Sequence, residues 1–202
     1  AVPVDPEFQM MSGFPEQVRA IDFLRLNGTQ AELSRLRAQL LKAFVKLEDL
    51  LDEVPPALRA ARPRKGAWSV HEVIDHLVVT HTLAVGELRE LVAGRRPVGA
   101  PISAGLVSED PFAVSWDTLL GRLRAVHGDF LDAANAGNDD TPLNLRTPIV
   151  MVVKVPGADG KPAPIAWSCD LDWKAYVQAF RFHTLEHVEQ IKRILPELAE
   201  SN

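Results

Sequence analysis

Residues 173–195 read WKAYVQAFRFHTLEHVEQIKRIL, and this stretch decides the fold class. Apolar side chains recur in it at steps of three and four residues, the spacing of one face of an α-helix. On that face, His183 and His187 stand one turn apart where apolar residues are expected. A buried neutral imidazole has one donor and one acceptor to satisfy, so two stacked core histidines are hard to explain as packing alone. The pattern predicts a core helix that carries a chemical site.

Three earlier segments, at about 30–51, 70–92 and 115–136, show the same helical spacing. The second of them begins with a capping box, in which Ser69 and Glu72 can each satisfy a free backbone N–H group of the other. The last predicted helix covers 171–195, and we expect Pro196 to end it because proline cannot continue the hydrogen-bond ladder. Four amphipathic helices of this length predict an all-α fold, a four-helix bundle.

Two long connections, 95–114 and 136–170, separate the predicted helices. The second contains two β-branched runs on either side of a glycine-rich turn at 157–160, which predicts a small β-hairpin between the third and fourth helices. Connections longer than about 12–15 residues tend to be functional. We therefore expect both to border the mouth of a site.

Composition narrows the function further. The chain has 202 residues and a net charge of −5, which disfavours a nucleic-acid-binding domain because such domains usually carry a basic face. The single cysteine, Cys169, cannot form an intrachain disulfide and is expected to be a small buried apolar residue. No apolar run approaches the ~18 residues of a membrane span, and no secretory signal is apparent. These features predict a cytoplasmic protein without a membrane partner. We interpret residues 1–10 as an expression-vector remnant or a disordered arm, and 11–202 as a single domain.

The spacing His-x3-His presents two ring nitrogens to one metal ion, as in two-histidine zinc sites. A catalytic site needs a third ligand. The helical spacing favours His81 or His127, since both lie on apolar faces, whereas His76 lies at the edge of its face. Cys169 and nearby carboxylates are further candidates. His71, in the first turn of its helix, is expected at the surface.

Two motifs resemble the DinB-like (YfiT-type) superfamily of metal-binding four-helix bundles. Residues 68–77, WSVHEVIDHL, resemble the start of its second helix, and residues 183–190, HTLEHVEQ, resemble its closing H-x3-H-x2-Q pattern. The resemblance implies a divalent metal held by His76, His183 and His187, whereas the helical spacing keeps His81 as the rival ligand. Ligation by imidazole alone suits zinc or nickel.

The resemblance also implies an activity. Characterised members of the superfamily include metal-dependent transferases and isomerases that use small thiols, so a low-molecular-weight-thiol S-transferase or isomerase with a thiol cosubstrate is the leading hypothesis. A metal-dependent hydrolase is the alternative, with Glu72 or Glu186 as the base and Gln190 orienting a water molecule. A third hypothesis is a non-catalytic stress-response or binding protein that a metal merely braces. The predicted partners are a small-molecule substrate and a second copy of the chain in a homodimer.

Overall fold

A computed structural model describes residues 14–200 of the chain. The segment interpreted as a vector remnant, residues 1–10, lies outside the described part. Within residues 14–200 the chain forms five α-helices and one two-stranded antiparallel sheet. These are α1 (Pro15–Leu24), α2 (Leu33–Asp52), α3 (Val70–Val92), α4 (Trp116–Asn135), β1 (Thr147–Pro156), β2 (Pro162–Leu171) and α5 (Trp173–Glu200). The predicted all-α bundle with an appended hairpin is confirmed.

Four long helices enclose the core. Helix α3 packs along α4 and α2 along α5, while α3 also contacts α5 and α2 also contacts α4. The apolar face of each helix points to the shared interior, and the largest fully buried side chains come from all four helices. Because α3 and α5 are in contact, side chains of the second and last predicted helices can meet in one site.

The start of α3 is fixed by the predicted capping box. Ser69 Oγ accepts a hydrogen bond from the Glu72 backbone N–H over 3.2 Å, and Glu72 Oε2 accepts one from the Ser69 backbone N–H over 2.9 Å. Two otherwise unpaired donors are thereby satisfied, which sets the first residue of the helix. The rotation of every later residue of α3, including His76, follows from this start.

Helix α1 was not predicted from the sequence. It continues into a π-helical turn, Arg25–Thr29, which packs closely against α5. A Cβ atom placed on Gly28 would lie only 2.8 Å from the Cα atom of Ala175. The absence of a side chain at Gly28 is therefore what lets this turn approach the backbone of α5.

The prediction that Pro196 ends the last helix was wrong. Helix α5 runs through Pro196 to Glu200. A proline inside a helix removes the hydrogen bond from its own nitrogen and crowds the preceding turn. Because Pro196 lies close to the C-terminal end, the helix loses little of its ladder and continues for one more turn.

The hairpin is joined to the bundle at its base. Its register pairs Thr147 with Leu171 and Pro156 with Pro162. Glu87 of α3 accepts hydrogen bonds from Thr147 Oγ1 over 3.5 Å and from Tyr176 Oη over 3.2 Å. Near this end of the hairpin, Cys169 is buried as predicted, and burial raises the pKa of its thiol to about 12. The hairpin therefore adds a packed layer rather than a reactive thiol.

The helices of residues 14–200 were also compared with the length and apolarity that a membrane span needs. None of them meets both requirements.

Candidate metal centre

Three imidazoles converge between α3 and α5. His183 Nε2 lies 3.1 Å from His76 Nε2 and 3.0 Å from His187 Nε2, and the potential ligand atoms of the three residues all lie within 4.8 Å of one another. Nitrogens that share one ion at about 2.0–2.1 Å lie about 3 Å apart, so this spacing fits a single divalent ion. Within residues 14–200, no carboxylate or thiol joins this cluster. The structure thus brings together the set that the resemblance implied.

Two of the three rings are oriented by oxygen acceptors. His76 Nδ1 lies 2.6 Å from the carbonyl oxygen of Leu106, and His187 Nδ1 lies 2.7 Å from Gln190 Oε1. A carbonyl oxygen can only accept, so each Nδ1 carries the ring proton and each Nε2 keeps its lone pair. This is the arrangement in which a histidine is ready to bind a metal through Nε2.

The connection between α3 and α4 lies across the site and is fastened to α3. Asp75 accepts hydrogen bonds from the Ser108 backbone N–H over 2.8 Å and from Ser108 Oγ over 2.7 Å. His71 Nε2 donates to the carbonyl oxygen of Pro111 over 2.8 Å. The predicted surface position of His71 was wrong, since only 6% of the residue is exposed. Together with the Leu106 contact, these bonds hold the connection against the site, as its length had suggested.

Burial keeps the three rings neutral at neutral pH. It lowers the pKa of His76, and the hydrogen bond to Leu106 opposes that effect only in part. It lowers the pKa of His187 to about 4, with a further contribution from nearby His76. Burial and the neighbouring imidazoles also hold the pKa of His183 well below its usual value. A neutral imidazole has a free lone pair, so no proton has to leave before a metal binds at pH 7.

Comparison with known proteins identifies the family of the chain. The sequence model of the DinB superfamily matches residues 33–156, more than half of the 202 residues. The chain belongs to the DinB superfamily. The match includes α2, α3 and α4 and therefore His76, while His183 and His187 follow it in the chain.

Solved structures share the bundle of this DinB superfamily protein. YfiT from Bacillus subtilis, described as a probable metal-dependent hydrolase with an unusual four-helix bundle topology, is 15% identical, with a TM-score of 0.53 over 83% of this chain and 87% of that one. The four-helix bundle protein TT2238 is 17% identical, with a TM-score of 0.52 over 80% of this chain and 99% of that one. At these identities the likeness concerns the fold. No curated protein matches the chain.

Glu72 lies one turn before His76 but has structural partners. Its Oε2 atom accepts hydrogen bonds from the Ser69 backbone and hydroxyl and from Arg62 Nε, the last over 3.0 Å. Burial alone would raise the pKa of the Glu72 carboxyl, but the hydrogen bonds from Arg62 and Ser69 outweigh it and lower that pKa. A carboxylate with a lowered pKa and occupied lone pairs is a poor general base.

The other predicted catalytic residues lie on α5. Gln190 accepts a hydrogen bond from the ring of His187 through its Oε1 atom. Glu186 is exposed on the side of α5 that faces away from the core. The catalytic roles of Glu72, Glu186 and Gln190 therefore stay predictions, and only Gln190 touches the cluster.

His81, the rival ligand, lies behind the cluster. It is fully buried, and its Nε2 atom faces Nδ1 of His183 over 3.5 Å instead of joining the three converging nitrogens. His127, the other candidate favoured by helical spacing, is stacked on Phe44 with ring centroids 3.9 Å apart. The helical spacing thus found buried histidines, but it did not separate those that face the cluster from those that lie deeper.

Two residues that contact His76 were not among the predicted site residues. The carbonyl of Leu106 is a backbone group in a loop, so its residue type does not reveal its role. Trp68, whose ring centroid lies 5.0 Å from that of His76, appeared only as part of the family motif. A polar pair on one side of α3, Asp75 and His76, could have suggested that a loop covers this part of the helix.

The buried His127 predicts acid sensitivity of the fold. Burial lowers the pKa of its ring from 6.5 to about 3, so below pH 6.5 the unfolded chain binds a proton that the folded protein does not. We therefore expect the free energy of unfolding to be independent of this residue above pH 6.5 and to fall below it by up to about 1.4 kcal/mol per pH unit. Urea unfolding of the metal-free protein at pH 7, 6 and 5 measures the total slope, to which the lowered pKa values of His76, His183 and His187 also contribute.

The variant His127→Phe isolates that contribution. The groups facing the ring are His81, whose ring centroid is 5.9 Å away, and Glu48, whose Oε2 atom lies 3.7 Å from Nδ1 and which also contacts Arg124. These groups remain in the variant. The free energy of unfolding should therefore fall less steeply as the pH decreases, by the contribution of about one bound proton. Parallel curves for the two proteins would contradict the assignment.

Proposed function

We propose that this DinB superfamily protein is a divalent-metal-dependent enzyme that activates a small thiol for transfer to an electrophilic substrate. The observation that supports it most is the convergence of three neutral imidazole nitrogens in a cluster that no carboxylate joins within residues 14–200. His76, His183 and His187 would hold the ion. Zinc and nickel both suit imidazole ligands.

The charge of the cluster favours an anionic fourth ligand. Neutral imidazoles leave the two positive charges of the ion uncompensated, and Asp75, the acidic residue next to His76, is already bonded to Ser108. A divalent ion in such a site lowers the pKa of a bound thiol or water. A thiol ionises more readily than water, so it needs no protein base to become a nucleophile. The engagement of Glu72 with Arg62 and Ser69 agrees with a reaction that does not depend on a carboxylate base.

Each residue around the ion has a role that the contacts define. His76 and His187 keep Nε2 directed into the cluster through their bonds to Leu106 and Gln190. The connection fastened by Asp75 and His71 lies against His76 on one side of the cluster. Trp68 presents a partly exposed aromatic surface beside His76 against which an apolar part of a substrate can pack.

Cobalt substitution tests the proposal. The metal-free protein is loaded with Co²⁺ and titrated with L-cysteine as the small thiol, with L-serine as a matched control that carries oxygen in place of sulfur. We expect an intense sulfur-to-cobalt charge-transfer absorption with cysteine, none with serine, and none with cysteine in His76→Ala. Turnover is then measured with 1-chloro-2,4-dinitrobenzene, from which the thiol displaces chloride.

Two outcomes would contradict thiol transfer. Hydrolysis of 4-nitrophenyl acetate that needs metal but no thiol, with no cysteine band, would favour the hydrolase, the activity in the description of YfiT. Binding of cobalt without either activity, together with a large fall in melting temperature on metal removal, would favour a metal that only braces the bundle.

A further inference from the structure

His81 lies in the densest part of the core, directly behind the cluster. The residue is fully buried, and its ring contacts the rings of Phe180, Phe130 and His183 with centroid separations of 5.2, 5.9 and 5.6 Å. Among residues 14–200, its one polar contact is between its Nε2 atom and Nδ1 of His183, over 3.5 Å. Its own Nδ1 atom is buried without a hydrogen-bond partner. An apolar side chain would avoid that unpaired group, so packing alone does not account for a histidine here.

The three cluster histidines differ in what holds their outer nitrogens. Oxygen atoms of Leu106 and Gln190 fix the tautomers of His76 and His187. In the described part of the chain, Nδ1 of His183 has no oxygen acceptor, and the group that faces it is the Nε2 atom of His81. For His183 to present a lone pair at Nε2, its proton must sit on Nδ1, and an acceptor there favours this tautomer.

We propose that His81 is a positioning residue for His183: its Nε2 atom accepts the Nδ1–H hydrogen bond and so keeps Nε2 of His183 free and directed into the cluster. The inference rests on the metal binding in the proposed function but not on thiol chemistry. A ring that accepts through Nε2 must carry its own proton on Nδ1, so the proposal assigns the unpaired Nδ1 atom of His81 as an N–H group. All three ligands would then have an acceptor behind them, two of oxygen and one of nitrogen.

Two substitutions separate positioning from packing. His81→Gln places an amide oxygen, which can accept, near the position of the imidazole Nε2, whereas His81→Leu fills the space without an acceptor. The affinity for Co²⁺ is measured by competition with a chromogenic chelator, and the visible spectrum of the bound cobalt reports the ligand geometry. We expect His81→Leu to bind about 10–100-fold more weakly with an altered spectrum, as is typical on loss of an outer partner of a ligand. His81→Gln should remain close to the wild type in both measurements.

The melting temperatures of the metal-free variants test whether His81 acts only through packing. His81→Leu removes the buried unpaired Nδ1–H group of His81 but also the acceptor of His183. Without metal, the proton of His183 can move to Nε2 and be donated to His187, so the metal-free melting temperature should stay close to that of the wild type. Equal cobalt affinity in all three proteins would overturn the inference, and so would an equal loss in both variants. If the wild type itself binds no cobalt, the proposed function falls together with the inference. Weak binding confined to His81→Leu supports the inference whatever the outcome of the thiol titration, which tests the proposed function separately.

Discussion

His187→Ala is expected to lower the affinity of the protein for Zn²⁺ by roughly 10³-fold. Structural zinc sites bind with about 10–16 kcal/mol, so one of three ligands accounts for about 3–5 kcal/mol, and each 1.4 kcal/mol is tenfold. Metal content after dialysis against a weak chelator, measured by elemental analysis, should fall from near one ion per chain to a small fraction. His76→Ala should behave in the same way, since its Nε2 atom lies in the same cluster.

A matched control is available on the same helix. His71 is also buried in α3, but its Nε2 atom donates to the carbonyl of Pro111 and lies outside the cluster. His71→Gln keeps a donor at that position and should retain the metal. Equal metal content in His187→Ala and His71→Gln would contradict the assignment of the ligands.

Phe44→Ala is expected to lower the free energy of unfolding by about 3–5 kcal/mol. The side chain is 1% exposed, and its ring stacks on His127 and contacts Phe130 edge-on, at a centroid separation of 6.0 Å. Removing the Phe44 ring leaves a cavity beside the buried imidazoles of His127 and His81, which have unpaired nitrogens. Chemical denaturation of the metal-free variant measures the loss.

Leu41, on the exposed side of the same helix, supplies the control. It is 50% exposed, so Leu41→Ala should change the free energy of unfolding by no more than about 0.5 kcal/mol. A loss of less than about 1 kcal/mol for Phe44→Ala would show that the core around His81 and His127 relaxes to fill the gap.

Helical spacing predicted most of the bundle because each long helix has one buried face. The predicted and observed bounds of α3 agree at both ends, where a capping box and Gly94 mark them. Helix α1 was missed because it is short and several of its apolar side chains are exposed, among them Val18 and Phe23. Pro15, which is favoured at the first turn of a helix, was the signal that could have revealed it.

The cluster histidines were predicted from different kinds of sequence signal. The pair His183 and His187 follows from spacing alone, because two polar rings interrupt an apolar face. His76 came from the family motif, since its position at the edge of the apolar face argued for His81 instead. The structure explains the conflict: His76 reaches the cluster from that edge, and the loop that bonds to its Nδ1 atom covers it. The predicted homodimer and cytoplasmic location stay predictions.

The separation of the cluster histidines along the chain has a consequence for folding kinetics. His76 and His183 are 107 residues apart, so the two halves of the cluster meet only after α3 and α5 have docked. An ion held by both helices would act as a reversible cross-link that closes a long loop, and such a link restricts the unfolded chain more as the loop lengthens. Metal capture should therefore be a late event in folding, and bound metal should slow unfolding much more than it speeds refolding.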